Sequence, residues 1–330
     1  MASASPAVGL KLQSHGRVCD LCGGHEYEVI CTRDRRGKPW NTVACTACGL
    51  VGHEVVPTEA ELIEFYTRAY RKEYHGESRP SNRRVMRAWY KGERVLGQMR
   101  PTMRPGDRVF EIGAGLGLNL KQFELAGYET YGIEPSDSFQ TYARDQLHVT
   151  VDNISLFDYR ADSPYDLILL IHVIEHFRSP RQALQKIYQL LKPGGRLYLE
   201  CPSLGVYHAD RAEMFHFAHI WTFTPHTLVA LARQCGFEVH SVWSSGLGIN
   251  HKILFVKRQP VTDLPLPTYE DTCQILREYH APYHRFQAWY LYGRLRRFAI
   301  YAKEYLFASR VVQEILETCR QTPPRLRKTA

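Results

Sequence analysis

The sequence lacks an apolar run long enough to cross a bilayer as a helix, which takes about 20 residues. Its apolar stretches, such as Leu167–Ile171, have the length of a single β-strand. The N-terminal letters MASASPAVGLKLQSHG also lack the apolar core that follows a basic start in a secretory signal. We therefore expect a cytoplasmic protein in which residues 1–16 form a disordered leader.

Cysteine is not scarce, but its number and spacing argue against a disulfide-bonded secreted protein. An odd count of nine cysteines in an unsignalled chain of 330 residues favours reduced thiols and a metal site. Two C-x-x-C pairs, each followed by glycine, comprise Cys19 with Cys22 and Cys45 with Cys48. Four thiolates complete a tetrahedral Zn²⁺ shell, so we predict a structural zinc ribbon over residues 17–56. An Fe–S cluster or a redox dithiol is the alternative.

Acidic residues are scarce near the C-terminus. The net charge is +8, and residues 285–330 hold ten Lys or Arg against three Asp or Glu. The rest of the chain is close to neutral, which gives little support to nucleic-acid binding by the whole protein. We predict a helical, basic and aromatic C-terminal extension over residues 261–330. Its helix could pack on its own domain, contact an anionic membrane surface, form a homodimer or contact nucleic acid.

Strands alternate with helices between residues 106 and 260, which predicts an α/β fold with a doubly wound parallel sheet. Strand patterns occur in DRVFEIGAG, YETYGIEPS, HVTVDNIS, YDLILLIHV and GGRLYLECPS, and helix patterns in LNLKQFELAG and RQALQKIYQLLKPGG. Two later strands, FEVHSVWSS and HKILFVKR, predict an antiparallel pair at a sheet edge. Residues 57–105 are predicted as a helical linker or lid, with a helix over Asn82–Arg100 that prolines terminate.

A glycine turn follows the first strand of this region, with Gly113, Gly115, Leu116 and Gly117 in it and Glu111 two residues before it. Glycines let the backbone approach a ligand closely, and the next helix begins with free N–H groups. A dinucleotide site requires G-x-G-x-x-G, whereas this turn is G-x-G-x-G. The Glu111 carboxylate would repel a pyrophosphate and suits a cofactor with a cationic amino group, such as S-adenosylmethionine.

Three further signals follow in order along the chain. Glu134 ends the next strand, where a carboxylate can accept hydrogen bonds from ribose hydroxyls. Asn153 and Ile154 follow the third strand and are placed to meet adenine. His172 ends the fourth strand, and we expect it to pack against the cofactor.

These signals together resemble the class I S-adenosylmethionine-dependent methyltransferases over roughly residues 85–258, including D-L-I-L-L-I-H-V-I-E-H and L-K-P-G-G-R-L-Y-L-E. The resemblance implies a seven-stranded Rossmann-like sheet with one antiparallel strand. It also implies that Glu111, Gly113 and Gly115 hold the methionine moiety and that Glu134 holds the ribose.

The cysteine pairs, with C-x-x-C-G-L-V and then E-F-Y-x-x-x-Y, resemble a bacterial group of zinc-ribbon methyltransferases that act in sugar, polysaccharide and natural-product pathways. The resemblance implies a small-molecule or glycan acceptor that is methylated at a hydroxyl or a carbon. Members of that group usually carry a further C-terminal α/β domain, where this chain has the helical extension. Aromatic residues after the ribbon close over the cofactor in that group, and Tyr66, Tyr70 and Tyr74 are the candidates here.

Histidines follow two of the strands, and imidazole suits proton removal from a hydroxyl near neutral pH. His176 follows the fourth strand, and His216 and His219 lie in the long segment after the fifth. We predict a general base among these three, with His219 favoured; a packing or capping role is the alternative for each. Some ubiquinone-pathway O-methyltransferases have E-x-x-E-H at the position of His172–His176 and bind a divalent cation there, although histidine replaces the first glutamate here.

An RNA methyltransferase is the alternative function, with the ribbon and the basic tail contacting phosphates, as some ribosomal-RNA guanine methyltransferases pair a zinc site with this fold. The segment after the fourth strand lacks an N-P-P-Y or D-P-P-Y motif, which disfavours methylation of a base nitrogen. A non-catalytic binding module is a third interpretation. The intact pattern of Glu111, the glycines and Glu134 argues against it.

Overall fold

The computed structural model of the chain describes residues 11–13, 17–64, 80–205, 214–243, 250–261, 263–279 and 288–321. The α-helices among these residues are α1 (Glu59–Glu64), α2 (Asn82–Met99), α3 (Leu118–Leu125), α4 (Asp137–Leu147), α5 (Pro180–Leu190), α6 (Pro225–Gln234), α7 (Tyr269–Tyr279) and α8 (Ala288–Gln321). The strands are β1 (Lys11–Gln13), β2 (Glu26–Arg33), β3 (Pro39–Cys45), β4 (Val51–His53), β5 (Arg108–Ile112), β6 (Glu129–Ile133), β7 (Val151–Asp152), β8 (Tyr165–Ile171), β9 (Leu191–Pro202), β10 (Trp221–Thr222), β11 (Phe237–Val242) and β12 (Asn250–Lys257).

The larger sheet has seven strands in the order β11-β12-β9-β8-β5-β6-β7. Strand β5 pairs in parallel with β6 and with β8, and β6 pairs in parallel with β7. Strand β8 is buried along most of its length, as expected for a parallel strand that is covered on both faces. This sheet and its helices confirm the predicted α/β, seven-stranded Rossmann-like fold.

The two late strands form the predicted antiparallel pair at one edge of this sheet. Strand β11 is the edge strand, and Phe237 pairs with Lys257 at one end of the ladder. A register shift lies between Val239 and Ser241. Such an irregularity bends an edge strand and disfavours further pairing along it.

The smaller sheet has five strands in the order β1-β2-β3-β4-β10. Strands β2, β3 and β4 form an antiparallel meander, and the cysteine pairs lie beside it. Strand β10 comes from much later in the chain, and Trp221 pairs with Gly52 of β4. The sheet of the predicted ribbon region therefore includes β10, which lies far beyond the predicted domain boundary at residue 56.

Three local predictions need correction. Residues 11–13, inside the expected disordered leader, form β1, because their backbone groups pair with β2. The helix expected to continue to a Pro-Gly stop ends at Leu190, and β9 begins at Leu191. Strand β9 lies between β12 and β8 in the larger sheet, and this pairing takes the backbone groups that the last helical turn would have used. The strand expected in HVTVDNIS has only the two residues of β7.

By its internal contacts the chain divides into two compact units. The first comprises residues 1–59, 171–188 and 199–294, and the second comprises residues 60–170, 189–198 and 295–330. Among the described residues, no helix has the length and apolar character that crossing a bilayer requires.

Candidate functional site

The glycine turn between β5 and α3 lies in the second unit. Gly113, Gly115 and Gly117 have φ angles of +68°, +54° and +70°, in the left-handed region that glycine adopts without strain. A Cβ on Gly117 would lie 3.3 Å from side-chain atoms of Ala143 and of Val149, which is a tight contact. The absence of a side chain at Gly117 therefore also suits the packing around the turn. Leu116 between these glycines is buried and anchors the turn.

Glu111, at the end of β5, has a buried carboxyl group with one satisfied oxygen. Asn119 donates its side-chain N–H to Oε1 at 2.5 Å, whereas Oε2 accepts no hydrogen bond from any described residue. Burial raises the pKa of Glu111 to about 8. A buried acceptor without a donor costs free energy, so this oxygen is suited to receive a cationic donor from a ligand.

Glu134, after β6, is bound to the glycine turn. Its Oε2 accepts the backbone N–H of Gly115 at 2.9 Å, and its Oε1 accepts the N–H of Ser136 at 3.0 Å. A carboxylate oxygen has more than one acceptor site, so the same group can bind the turn and a ligand hydroxyl. Glu134 therefore fixes the turn and can also contact a ligand.

The residues predicted to meet adenine follow β7. Asn153 is exposed and donates its side-chain amide to Asp137 at 2.8 Å, and Ile154 is half-buried. The preceding Asp152 accepts a hydrogen bond from the Tyr131 hydroxyl. Their roles stay predictions.

His172, the first residue after β8, belongs to the first unit and has a left-handed backbone with φ of +57°. Asn250 lies 3.2 Å from its Nε2 and donates at 3.0 Å to Glu200, whose carboxylate is 3.7 Å from the same nitrogen. A non-glycine residue in this conformation costs about 1–3 kcal/mol and occurs often at functional sites. The polar contacts with Asn250 and Glu200 hold His172 in this conformation and offset its cost.

Glu175 is the centre of a cluster of histidines in the first unit. Its side chain is 1% exposed, and neither oxygen has a hydrogen bond within the described residues. Its Oε1 lies 3.6 Å from His172 Nδ1 and 3.9 Å from the Nε2 atoms of both His176 and His219. A carboxylate in this position favours a positive charge or a proton among the three imidazoles.

The three candidate bases differ in their hydrogen bonds. His176 Nδ1 lies 2.6 Å from the Ala218 carbonyl oxygen and therefore carries the proton there. His216 is buried, and its Nδ1 accepts the Ala218 N–H at 3.2 Å. Burial lowers the pKa of His216 to about 2 and holds the pKa of His219 well below the usual range. Both imidazoles are therefore neutral at pH 7.

Exposure separates the same three residues. The His219 side chain is 18% exposed, that of His176 is 12% exposed, and His216 is buried. The ring of His219 lies against both others, with centroid distances of 3.8 Å to His216 and 4.9 Å to His176. His219 is therefore the candidate base with the best access for a substrate.

Donor atoms of Glu175, His176 and His219 all lie within 4.8 Å of one another, a grouping that could hold a metal ion. The alternative that we drew from the sequence placed a divalent cation on the segment His172–His176. The structure instead adds His219 from a distant segment, and it places His172 beside Glu200 and Asn250.

The predicted ribbon cysteines converge in the first unit. The Sγ atoms of Cys19 and Cys48 are 3.5 Å apart, as are those of Cys22 and Cys45, and all four lie within 4.8 Å of one another. Zn–S bonds of about 2.3 Å in a tetrahedron place sulfurs roughly 3.8 Å apart. The thiols therefore have the spacing of a zinc site. Cys31 lies outside this group and donates to the Arg33 carbonyl oxygen at 3.2 Å.

Sequence reasoning placed Glu175 only in the alternative cation site at His172–His176, and it assigned no role to Glu200 and Asn250. Glu200 had a signal, because it is an acid inside the apolar strand pattern LYLEC and such a residue is rarely buried without a function. The pairing of Asn250 with His172 depends on the return of β12 to the sheet, which local sequence does not encode.

A seven-stranded sheet, a left-handed glycine turn and acids after β5 and β6 define the class I methyltransferase fold. Residues 83–242 match a family model described as a methyltransferase domain. This part of the chain is therefore similar to methyltransferase domains in fold and in sequence.

Curated relatives match parts of this chain. A ubiquinone biosynthesis O-methyltransferase of Ruegeria pomeroyi is 31% identical over 166 residues, which cover 44% of this chain and 65% of that protein. One from Nitrobacter winogradskyi is 32% identical over 100 residues, which cover 28% of this chain and 37% of that protein. The chain thus spans less than two thirds of the length of these relatives.

Another relative and a solved structure extend the comparison. A tRNA U34 carboxymethyltransferase of Pseudoalteromonas translucida is 31% identical over 121 residues, covering 34% of this chain and 37% of that protein. The crystal structure of magnesium protoporphyrin IX methyltransferase from Synechocystis PCC 6803 with bound SAH is 15% identical, with a TM-score of 0.45. It covers 61% of this chain and 100% of that chain.

Proposed function

We propose that this chain transfers a methyl group from S-adenosylmethionine to a hydroxyl or carbon of a small molecule or glycan, with His219 as general base. The observation that carries the proposal is the buried Glu111 carboxyl, whose Oε2 has no donor among the described residues, directly before the left-handed glycine turn. An ammonium group supplies the missing donor and favours the ionised carboxylate, a form that would repel a phosphate.

The residues of the turn fit S-adenosylmethionine in charge and hydrogen bonding. Glu111 would bind the ammonium, the turn at Gly113 and Gly115 would let the backbone approach the methionine moiety, and Glu134 would accept from the ribose hydroxyls. The cofactor supplies an activated methyl group on a sulfonium. The protein therefore has mainly to position the acceptor and, for a hydroxyl, to remove its proton.

His219 suits the removal of that proton. Its imidazole is neutral at pH 7 because burial and neighbouring histidines lower its pKa, and a neutral imidazole can accept a proton. Glu175, 3.9 Å from its Nε2, would stabilise the imidazolium that forms. His176 shares this carboxylate and would orient the pair, and the buried His216 would pack against the ring of His219.

We infer that the four cysteines bind structural Zn²⁺. Four thiolates close the coordination shell, so the ion would stabilise the small sheet and take no part in methyl transfer. The acceptor class is proposed from the resemblance of this ribbon and domain to the bacterial zinc-ribbon methyltransferases. The relatives named as ubiquinone biosynthesis O-methyltransferases favour a hydroxyl over a carbon.

Calorimetry with S-adenosylmethionine tests the cofactor assignment, and a turnover screen with radiolabelled methyl donor tests the acceptor. We expect Glu111→Gln to weaken cofactor binding at least ~30-fold, because an amide cannot replace a carboxylate opposite an ammonium. Nucleotide sugars, glycans, phenols and tRNA form the acceptor panel, the last because one relative acts on tRNA by name. Unchanged affinity in Glu111→Gln would contradict the cofactor site, and label in tRNA alone would contradict the acceptor class.

A further inference from the structure

Helix α8 exposes many large apolar side chains in its N-terminal half. Six of them are more than half exposed: Leu291 at 55%, Tyr292 at 65%, Leu295 at 70%, Phe298 at 74%, Tyr305 at 82% and Leu306 at 71%. Single exposed apolar residues are ordinary, but a contiguous group of this size marks a contact surface.

The six most exposed of these residues lie on one side of the helix. At 3.6 residues per turn, Leu291, Leu295, Phe298 and Tyr305 follow one another at spacings of four, three and seven, with Tyr292 and Leu306 beside them. We call this group the apolar stripe. It covers residues 291–306, about 24 Å of helix.

A different side of α8 packs on its own domain. Glu304, Ala308, Val312 and Ile315 are buried at helical spacing, and Glu304 forms an ion pair with Arg87 of α2. This contact holds the C-terminal half of the helix and leaves the apolar stripe facing away from it. The stripe is therefore not the face by which the helix packs on its own chain.

The charge of this helical segment is of one sign. Residues 288–303 contain three arginines and one lysine and no aspartate or glutamate, and Arg296 is exposed. Glu304 comes next, but its carboxylate is already paired with Arg87. Tyrosine and tryptophan also occur in this segment, and these residues are enriched where protein meets the membrane–water interface.

We propose that residues 288–307 of α8 bind the surface of an anionic phospholipid bilayer, with the apolar stripe in the acyl boundary and the exposed Arg296 at the headgroups. The charge of this segment favours an anionic membrane over a second copy of the chain as its partner. Pairing two such segments would bring eight basic residues together with only two acids, the Glu304 carboxylates, each of which is already paired with Arg87. An anionic surface would attract the basic residues. Exposed aromatic residues on a helix that lies on a bilayer also need no matching partner surface.

Vesicle sedimentation of the full chain tests the proposal, with phosphatidylcholine vesicles and vesicles of roughly three parts phosphatidylcholine to one part phosphatidylglycerol. We expect at least ~10-fold stronger partitioning onto the anionic vesicles, reduced by raised salt. The variant Leu295→Glu/Phe298→Glu should lose at least ~10-fold of this binding. Val55→Glu, which changes a residue that is 70% exposed outside α8, is the matched control and should bind like the unchanged chain.

Charge variants separate the electrostatic part of the binding. Arg296→Gln should weaken binding to anionic vesicles about fivefold, whereas Arg310→Gln, beyond the stripe on the same helix, should change it little. Equal partitioning onto both vesicle types would overturn the proposal. So would an unchanged Leu295→Glu/Phe298→Glu variant, or a stable dimer in sedimentation velocity that this variant converts to monomer.

Discussion

The Nε2 atom of His53 lies 3.1 Å from the carbonyl oxygen of His216 and 3.2 Å from that of Phe217. Trp40 donates its indole N–H to His53 Nδ1 at 2.9 Å, so Nδ1 is the acceptor and Nε2 carries the proton. Burial lowers the pKa of His53 to about 4, which keeps this single tautomer neutral. His53 thus donates from β4 to the segment that holds two of the candidate bases.

The same segment is held at several points by the small sheet. The carbonyl oxygen of His216 also accepts the N–H of His219 at 3.0 Å, and the N–H of His53 donates to Ile220 at 2.9 Å. The N–H of Arg35 donates to the Phe215 carbonyl at 2.8 Å. The ribbon region therefore holds the turn that carries His219. We expect its fold to affect the proposed chemistry through this turn and not through contact with the substrate.

Replacing His53 should lower turnover while the cysteine site stays intact. We expect His53→Phe to reduce kcat about tenfold with little change in KM for the methyl donor, because the turn at His216 loses its donor. His53→Gln, whose amide can still donate, should recover part of that loss. Steady-state kinetics with zinc analysis checks this, and His25→Phe in the same region is the control. If His53→Phe had the kcat of His25→Phe, His53 would have no positioning role.

Loss of one ribbon thiolate should remove the metal and destabilise the first unit. We expect Cys45→Ser to bind well under the roughly one zinc per chain of the unchanged protein and to unfold at a lower temperature, because an incomplete shell binds zinc weakly. Cys31→Ser is the control, since that thiol only donates to a backbone carbonyl. Metal analysis and thermal unfolding measure both effects. Full zinc and an unchanged Tm in Cys45→Ser would contradict the structural site.

Glu134 should be essential for cofactor affinity. We expect Glu134→Ala to weaken S-adenosylmethionine binding roughly 10–100-fold, because the turn loses the acceptor for the N–H groups of Gly115 and Ser136 and the ribose loses its partner. Glu129→Ala, at the start of the strand that Glu134 follows, is the matched control, because the Glu129 carboxylate is exposed and pairs with Arg108. Calorimetry measures both affinities, and equal values would count against the predicted role.

Much of the fold was predictable because local pattern and tertiary structure agree here. The strand β8, the glycine turn and the antiparallel pair of β11 and β12 follow from apolar periodicity and turn chemistry. The continuation of the helix toward Pro193 was wrong, because the pairing of β9 in the sheet outweighs local helix propensity. The predicted lid residues Tyr66, Tyr70 and Tyr74 lie outside the described residues.

The candidate site was predictable in part. Cysteine spacing located all four thiols that converge, and the position after β5 located Glu111. The polar contacts around the histidines could not be predicted, because they join segments far apart in sequence. Asn250 reaches His172 across 78 positions and His53 reaches His216 across 163, and neither separation leaves a local pattern.

The raised pKa of Glu111 predicts that cofactor binding releases a proton. Near pH 7 the buried carboxyl is mostly protonated, with a pKa of about 8, and an ammonium ligand favours the carboxylate. Affinity should therefore rise between roughly pH 6 and 8, and calorimetry in buffers of different ionisation enthalpy should report the released proton. Glu111→Gln should abolish this proton release. Affinity that is flat over this range in the unchanged protein would contradict the interpretation.

The raised pKa of Glu111 also makes the stability of the ligand-free protein depend on pH. Because the folded-state pKa of Glu111 is above the unfolded value, the folded chain binds the extra proton. The contribution of Glu111 to the free energy of unfolding is fully present below about pH 4.5 and is lost as pH rises through about 8. Urea unfolding at several pH values should show Glu111→Gln losing less stability than the unchanged protein between pH 6 and 9.

His219 should set the pH dependence of turnover. Its pKa is held well below the usual range, first by burial and then by His176 and His216, so the free base predominates throughout the neutral range. For a hydroxyl acceptor, kcat/KM should stay level from roughly pH 6.5 to 8 and fall only in acid, and His219→Ala should lower kcat by ~10²–10⁴. His226→Ala, an exposed histidine on α6, is the matched control and should leave the profile unchanged. A rate that rises steeply through pH 7 would require a base of ordinary pKa, and a His219→Ala variant with full activity would assign proton removal to another group.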